Sequence, residues 1–393
     1  MATAAIGGSH LVAATQAGAL YGWQLGWLII AVNLCKYPFF RCGVEYTLAT
    51  GENLVDGYKK QGPVYFYGFF VLSMIAGVVN TAGVLLLTAA LLHYIIGGAL
   101  GLTALCVLLL TACSVLLLFG HYRALDKASK WIMAILAIST LAAFFIVLVQ
   151  TGHDPILAHN NYQTPDIMTL AGLSFVIVMM GWMPAPIEIS VLNSLWLQAK
   201  QKTVDVSQKA GLFDFNFGYV MTAVLALIFF ALGVMIQHGK TTEIALAGVA
   251  FAQQLIDMYA YTIGEWSRWL IATVAFLCML GTTLTVLDGY ARTLTASSNL
   301  LPNLPFPKKL SVWLLLQALS GMAVILFFKS NLKDMLTFAM TLAFLTTPVF
   351  AWLNMRLVKH AQIQHPMWLK MLTWVGLIYL VGFSVAFIVL QLW

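Results

Sequence analysis

Two short stretches interrupt otherwise apolar runs, and they contain the residues best suited to binding a solute. The first is Gly7-Gly8-Ser9-His10 and the second is Met183-Pro184-Ala185-Pro186. Glycine and proline both interrupt helices, and a helix broken at membrane depth leaves backbone amides and carbonyls without partners. Such groups are tolerated only where they line a cavity. A pair of broken helices therefore predicts the central site of a transporter.

The side chains at the two breaks form a neutral set of donors. Ser9 offers a hydroxyl, His10 an imidazole and Met183 a thioether, and the nearest acid is Glu188. Mn²⁺ and Fe²⁺ prefer oxygen and imidazole ligands, and a buried dication needs compensating negative charge. Half-helices that point their N-termini at a pocket without its own carboxylate favour an anionic or neutral polar solute instead. Electrostatics alone therefore argue against a dication.

The helices that must position these residues follow from the composition. Of the 393 residues, 61% are hydrophobic and only 9% are charged, whereas a soluble domain carries roughly 25% charged residues. We therefore predict an all-α multi-pass membrane protein, with the lipid bilayer as its surroundings and little chain left for a soluble domain. The net charge of +6 reflects loop topology and does not indicate nucleic acid.

The remaining composition excludes several other classes of function. The five cysteines lie in apolar segments without a CxxC pair, which predicts buried thiols with no disulfide or zinc site. No phosphate-binding loop and no cluster of catalytic groups occurs, so we expect neither an enzyme nor a bound cofactor. A channel would show a filter loop or a ring of charges. No obligate protein partner is indicated.

Eleven apolar stretches are long enough to span a bilayer, which requires about 20 residues each. Most Lys and Arg residues fall in loops on one side, which predicts a cytoplasmic N-terminus, an external C-terminus and a bacterial inner membrane. The predicted spans 1 to 11 are residues 3–21, 25–49, 64–92, 97–119, 128–150, 167–197, 215–237, 264–290, 310–328, 334–355 and 368–392.

The breaks fall in spans 1 and 6, the first of each five-span half. This arrangement predicts an inverted repeat, with residues 1–150 as the first unit, 151–358 as the second and 359–393 as an extra span. Only six residues precede Gly7, whereas a half-helix that reaches the inner face needs about 10. We expect a trimmed chain, an internal Met1, or an absent first half-helix.

The chain resembles the Nramp family of divalent-metal transporters throughout its length. The resemblance is carried by Gln16-Ala17-Gly18-Ala19, Gly22, Trp27, Asn33-Leu34, Ala49-Thr50-Gly51, Arg123-Ala124-Leu125-Asp126, Met183-Pro184 and Gly281 to Thr285. It implies a LeuT-like fold of two inverted five-helix repeats. It also implies inward transport of Mn²⁺ or Fe²⁺ with protons, the metal lying between the unwound parts of spans 1 and 6.

The chain departs from this family at the residues that bind metal and protons. The aspartate and asparagine of the family's DPGN motif correspond to Gly7 and His10, and of its MPHN motif only Met183-Pro184 remains. The family's carbonyl ligand corresponds to Met180 and its span 10 glutamine to Thr346. Its two span 3 acids correspond to Gly77 and Asn80. Only His10 and Met183 remain as metal-ligand candidates, and proton coupling through span 3 should be weak or absent.

Six charged residues inside the predicted spans or at the inner end of span 8 are candidates for function, because charge within a membrane is costly. Spacing of four residues predicts two helical ion pairs, Arg41 with Glu45 and Asp288 with Arg292. Lys36 has no acid at helical spacing. It is predicted either to pair with Glu188 or Asp288 or to replace a coupling cation. Glu188 is a candidate proton carrier, as is His10. The six are Lys36, Arg41, Glu45, Glu188, Asp288 and Arg292.

These observations together predict a secondary transporter that works by alternating access. We expect Gly7, Gly8, Ser9, His10, Met180, Met183, Pro184, Ala185 and Thr346 to form its substrate site. The resemblance implies a divalent metal such as Mn²⁺ as the imported ion, with an altered metal site and altered coupling. The alternative is an anionic or neutral polar organic solute at the same place, and a second alternative is a sensor that does not transport.

Overall fold

The computed structural model describes residues 7–119, 122–151, 164–239, 248–301, 303–328 and 332–392. Of residues 122–130, 132–133, 150–151, 332–333 and 390–392 it describes the backbone alone. The start of span 1 before Gly7 lies outside the described residues. So do the loop residues Lys240 and Lys329 and the side chains of Arg123, Lys127, Lys130 and Lys333.

Each of the eleven predicted spans forms at least one helix, so the helices keep the numbers of the spans. Spans 1 to 5 are Ser9–Ala14 (π-helical) continued by Thr15–Tyr21, then Gly26–Thr50, Pro63–Ile95, Leu102–Phe119 and Tyr122–Thr151. Span 6 consists of half-helix 6a (Leu170–Trp182) and half-helix 6b (Ile189–Gln201). Spans 7 to 11 are Gln208–Leu232 with the π-helical Gly233–Gln237, then Ser267–Asn299, Leu310–Phe327, Leu332–His360 and Met367–Leu392.

The lengths and apolar character of these helices fit a membrane protein. Within the described residues, 8 helical segments are long and apolar enough to cross a membrane, and one of them, Ser9–Thr50, contains both spans 1 and 2. Two shorter apolar helices, Ala134–Val149 and Leu170–Trp182, account for span 5 and half-helix 6a. Two further helices, Leu54–Gln61 and Gly248–Ile263, follow spans 2 and 7.

The burial of the spans separates the centre of the bundle from its periphery. The buried share of the most apolar 18-residue stretch is 72% in span 3, 67% in span 7 and 61% in span 8. The corresponding share is only 33% in span 4, 39% in span 9 and 28% in span 11. A membrane helix that is apolar all round and buried on most sides lies inside the bundle. Spans 3, 7 and 8 therefore form the interior, and spans 4, 9 and 11 present apolar side chains to lipid.

Glycines allow spans 1 and 6 to approach their neighbours closely. A Cβ atom on Gly18 of span 1 would collide with the Phe230 carbonyl of span 7, and a Cβ atom on Gly233 would collide with the Thr15 carbonyl. In half-helix 6a, Gly181 lies in the same way against the Met340 carbonyl of span 10. Small residues at such crossings let membrane helices pack backbone to backbone. These contacts fix the positions of the start of span 1 and of the break in span 6.

Candidate functional site

The stretch predicted as the break in span 1 is helical in the described residues, contrary to the sequence-based expectation: Gly8 has right-handed helical angles and Ser9–Ala14 continue as a π-helix. The residues before Gly7 lie outside the described part of the chain. Side chains of spans 6 and 8 pack closely against the two glycines at this start of span 1. A Cβ atom on Gly7 would lie 2.7 Å from the Thr282 hydroxyl of span 8. A Cβ atom on Gly8 would lie 2.6 Å from the indole ring of Trp182 at the end of half-helix 6a. Both distances are shorter than van der Waals contact. Gly7 and Gly8 therefore bring the start of span 1 against spans 6 and 8.

The break in span 6 covers the residues between the two half-helices. Half-helix 6a ends at Trp182, Met183 is extended, and helical structure resumes at Ile189. Pro184 and Pro186 lack amide protons, so neither can continue the hydrogen bonding of 6a. The first three amides of 6b donate to the carbonyls of residues 186, 187 and 188, over 3.1, 2.9 and 2.9 Å. These amides are therefore not free for an anion, contrary to the sequence-based expectation.

The start of span 1 and the break in span 6 meet across a small cavity. The Ser9 hydroxyl of span 1 donates a hydrogen bond of 3.1 Å to the Pro184 carbonyl of span 6. The cavity beside this bond has a volume of about 40 Å³, counted as the space that the centre of a water molecule can occupy. This is enough for a few waters. Its lining is Gly7, Gly8, Ser9, Asn80, Val84, Trp182, Pro184, Ala185, Pro186, Ile189, Thr282, Val286 and Tyr290. Five of the nine predicted substrate-site residues are therefore brought together.

His10 lies beside this cavity but does not line it. Its Nε2 atom is 2.8 Å from the Thr222 carbonyl of span 7, so Nε2 carries a proton and donates it. Its Nδ1 atom is 2.7 Å from the Ser9 oxygen, whose single proton is shared between Nδ1 and the Pro184 carbonyl. Both ring nitrogens are thus engaged by the protein, and the side chain is fully buried. His10 links the start of span 1 to span 7 and presents no free nitrogen to the cavity.

Three further predicted residues also lie outside the cavity lining. The Met180 sulfur accepts a hydrogen bond of 2.9 Å from the Tyr379 hydroxyl of span 11. The Thr346 hydroxyl donates to carbonyls of its own helix, at Leu342 and Ala343. Met183 is fully buried in the core. None of these three residues is among those that line the cavity.

Lys36 provides the only cation that the described residues place at the break in span 6. Its ammonium donates to the carbonyls of Met180, Gly181 and Ala185 over 2.7, 3.1 and 3.2 Å, and the side chain is fully buried. An ammonium has three N–H donors, and all three are used. Carbonyls at the end of a helix lack internal partners and carry partial negative charge, so they stabilise a cation.

This arrangement corrects the predicted pairing of Lys36 with an acid. Its hydrogen bonds go to main-chain carbonyls, while Glu188 interacts with it electrostatically without a hydrogen bond between the two. Asp288 instead binds Arg292, as spacing predicts, with 2.7 Å between Nε and Oδ2. The second predicted pair forms in the same way, with 2.7 Å between Arg41 Nε and Glu45 Oε1.

The site also contains residues that sequence reasoning did not select. Trp182, Thr282 and Tyr290 line the cavity, and Tyr290 donates a hydrogen bond of 3.0 Å to Oε1 of Glu188. Nothing in their local sequence distinguishes Trp182 and Tyr290 from other aromatic side chains in apolar helices. The Gly77 position carries a usable signal, because the ring of Tyr290 lies where a larger side chain on Gly77 would be.

The residues present are poorly suited to holding a dication. Across the described ranges, no three His, Cys, Asp or Glu side chains cluster as a metal site would require. The Met180 carbonyl, which the resemblance assigns to the metal, is bound by Lys36. His10 has both nitrogens engaged. The cavity itself is lined by hydroxyl, amide, indole and aliphatic groups, which suit a small polar solute.

Comparison with known proteins identifies one protein family whose model matches almost the whole chain. A family model described as "Natural resistance-associated macrophage protein-like" (Nramp) matches residues 1–390. An uncharacterised protein of Pasteurella multocida (strain Pm70) is 46% identical over 393 residues, which is 100% of this chain and 90% of that protein.

Solved structures share the fold at low sequence identity. A manganese transporter of Eremococcus coleocola, in complex with an aromatic bis-isothiourea compound, superposes with a TM-score of 0.71 and 12% identity, over 98% of this chain and 83% of that one. The transporter MhsT in complex with L-phenylalanine gives a TM-score of 0.65 and 14% identity, over 100% and 96%. Mhp1, a nucleobase-cation-symport-1 transporter, gives 0.66 and 13%, over 99% and 86%. The predicted LeuT-like fold is confirmed.

Proposed function

This chain belongs to the Nramp family of membrane transporters, and on that premise we propose that it moves a small neutral or anionic polar solute by alternating access. The solute would bind in the cavity between the start of span 1 and the break in span 6, in contact with Ser9, Asn80 and Tyr290. Family and fold are those of transporters. The cavity walls offer hydrogen-bond donors and acceptors together with an aromatic face, but no side-chain charge.

The observation that carries this proposal is the position of the Lys36 ammonium. It occupies carbonyls at the break in span 6 that would otherwise be free to bind a cation. A dication held about 5 Å from an ammonium would be repelled by roughly 7 kcal/mol at an effective dielectric constant of about 20. We therefore infer that the Lys36 ammonium supplies the positive charge at this place instead of a transported metal ion.

Import of Mn²⁺ is the second candidate, because the family and the Eremococcus coleocola structure both point to it. In that case His10 and Met183 would have to turn toward the cavity and serve as ligands. His10 would lose its hydrogen bonds to Ser9 and Thr222 in doing so. The compensating negative charge would have to come from Glu188, which already interacts electrostatically with Lys36.

Flux into proteoliposomes distinguishes the two candidates. The purified protein is reconstituted and tested with radiolabelled Mn²⁺, with small zwitterionic amino acids and with short monocarboxylates. We expect uptake of a solute from the last two groups and no uptake of Mn²⁺ above that of empty liposomes. Calorimetry with Mn²⁺ should likewise show no saturable heat. Saturable Mn²⁺ binding that is lost in both His10→Ala and Met183→Ala would overturn the proposal.

A matched pair of variants locates the binding site. Gly8→Val forces a branched side chain against the indole ring of Trp182 in the cavity wall, whereas nothing lies within 4 Å of a Cβ atom added to Gly68 of span 3. We expect Gly8→Val to abolish uptake and Gly68→Val to preserve it. Equal uptake by the two variants would remove the cavity as the site. Absence of flux for every probe would favour the sensor that does not transport.

A further inference from the structure

A chain of hydrogen bonds runs along one wall of the cavity from span 6, through spans 3 and 8, and back to span 6. The indole Nε1 of Trp182 donates to Oδ1 of Asn80 over 3.1 Å. Nδ2 of Asn80 donates to the Tyr290 hydroxyl over 3.0 Å. The Tyr290 hydroxyl then donates to Oε1 of Glu188 over 3.0 Å. Three of these four residues line the cavity, whereas Glu188 is not among the lining residues and is bonded to Tyr290.

Glu188 is the end of this chain and is incompletely bonded. Its side chain is 1% exposed, and its second oxygen, Oε2, has no hydrogen-bond partner. A buried carboxylate oxygen without a donor is costly, and buried carboxyl groups without full pairing inside membrane bundles are associated with ion and proton pathways. Glu188 is therefore poised to exchange a proton, because binding one would neutralise the group that the protein leaves unsatisfied.

The geometry of span 3 explains why this carboxyl group comes from span 6. Gly77 and Asn80 occupy the positions where the resemblance implies acids. The Tyr290 ring lies 3.2 Å from where a Cβ atom of Gly77 would be, so it fills the space that a longer side chain would need. Asn80 keeps only neutral polar contacts, to Ala76, Tyr290 and Trp182. The carboxyl group is thus reached from the cavity through Tyr290.

We propose that Glu188 is the proton-carrying group of this protein and that Tyr290 relays its proton to and from the cavity. A hydronium ion in the cavity forms a new O–H bond to the Tyr290 oxygen. The proton already on Tyr290 passes to Oε1 of Glu188, and a neutral water molecule remains in the cavity. The relay leaves Tyr290 neutral and Glu188 uncharged. The role in coupling rests on the proposed transport function.

The charged groups on the elements around Glu188 determine how its protonation affects the break in span 6. Half-helix 6b packs against span 2, span 8 and the short helix Leu54–Gln61. Span 2 contributes Lys36, which interacts with Glu188, and the bonded pair Arg41 and Glu45. Span 8 contributes Tyr290 and the bonded pair Asp288 and Arg292, and the short helix contributes Asp56, Tyr58, Lys59 and Lys60.

Lys36 is therefore the cation whose charge Glu188 balances. Its hydrogen bonds tie the carbonyls of Met180 and Gly181 at the end of half-helix 6a to the carbonyl of Ala185 within the break. Protonation of Glu188 removes the compensating negative charge, which weakens the hold of the buried ammonium on the break. Proton binding at Glu188 thereby favours movement of the half-helices.

Infrared difference spectroscopy of the purified full-length protein during a pH titration tests this assignment without any transported solute. We expect the carbonyl stretch of a protonated carboxyl group to titrate in the wild type. The band should vanish in Glu188→Gln and move to a new frequency in Glu188→Asp, and it should persist in Glu45→Gln, whose carboxylate is held by Arg41 and His365. A wild-type band in Glu188→Gln, or no titrating band at all, would overturn the proposal.

Tyr290→Phe tests the relay separately, because it removes the hydroxyl and keeps the ring that packs on Gly77. We expect the Glu188 band to remain. After transfer to heavy water, the carboxyl proton should exchange for deuterium more slowly than in the wild type, so the isotope shift of the band should develop more slowly. An unchanged exchange rate would overturn the relay.

The wild-type protein separates failure of this assignment from failure of the proposed function. No flux of any solute, together with a titrating Glu188 band, would refute transport and leave the Glu188 assignment in place. Flux without a titrating band would refute the Glu188 assignment alone.

Discussion

Lys36 is the residue whose replacement should have the largest effect on the broken helix. Lys36→Met keeps the length of the side chain but leaves three buried carbonyls without donors. At about 1–3 kcal/mol per unsatisfied buried group, we expect a loss of at least roughly 3 kcal/mol in the free energy of unfolding. Thermal unfolding in detergent measures this loss. Lys60→Met is the control, because Lys60 is exposed and pairs only with Glu52 in a surface salt bridge.

The alternative outcome for this variant is equally clear. Equal midpoints for Lys36→Met and Lys60→Met would show that the carbonyls of Met180, Gly181 and Ala185 find other donors, and the argument for a fixed charge at the break would fail. A stabilised Lys36→Met variant would show that burial of the ammonium costs more than its hydrogen bonds return.

At the scale of residues, the sequence predicts which backbone segments line the cavity better than it predicts the directions of side chains. Proline imposes the break in span 6 around Pro184 and Ala185, and the absence of a side chain lets Gly7 and Gly8 pack against their neighbours, so all four line the cavity. The contacts of His10 depend on a carbonyl more than two hundred positions away, in span 7. No local pattern encodes such a contact, and the same holds for the three carbonyls around Lys36.

At the scale of elements, the crossing of spans 1 and 7 should tolerate no side chain larger than hydrogen. Gly18→Ala forces a methyl group onto the Phe230 carbonyl, so the two helices must separate and lose contacts along the crossing. We expect a destabilisation of about 1–3 kcal/mol, the usual cost of overpacking. Gly382→Ala is the control, because nothing lies within 4 Å of its added Cβ atom.

Thermal unfolding of this pair provides the measurement, and the uptake assay provides a second one. A Gly18→Ala protein as stable as Gly382→Ala would mean that spans 1 and 7 do not touch backbone to backbone. Reduced uptake with unchanged stability would place the effect in the motion of span 1 rather than in its packing.

The spans themselves were largely predictable because long apolar runs without charge have few alternatives in a membrane. The helices Leu54–Gln61 and Gly248–Ile263 were not predicted. The first begins with a reciprocal cap between Asn53 and Asp56, a local signal that a search for apolar runs does not detect. The division at residues 150 and 358 into inverted repeats stays a prediction.

At the scale of the whole molecule, the orientation in the membrane is a prediction from the loop charges. Cysteines introduced at Lys60 and Glu265, whose side chains are 57% and 75% exposed, should react with an impermeant maleimide from opposite sides. We expect Glu265→Cys to react in intact cells and Lys60→Cys only in inverted vesicles. The five native cysteines are buried, so background labelling should be low. The reverse pattern would place the N-terminus outside.

The bond from the Ser9 hydroxyl to the Pro184 carbonyl fastens spans 1 and 6 to each other, while the neighbouring imidazole fastens them to span 7. Any rocking of this trio against spans 3 and 8 must pull the indole of Trp182 away from Asn80, and Glu188 away from Tyr290. In the proposed transport cycle, the hydrogen-bonded path from the cavity to Glu188 would therefore be continuous in one conformation and interrupted in the other. Such an interruption would keep the proton gradient from dissipating during exchange of the solute.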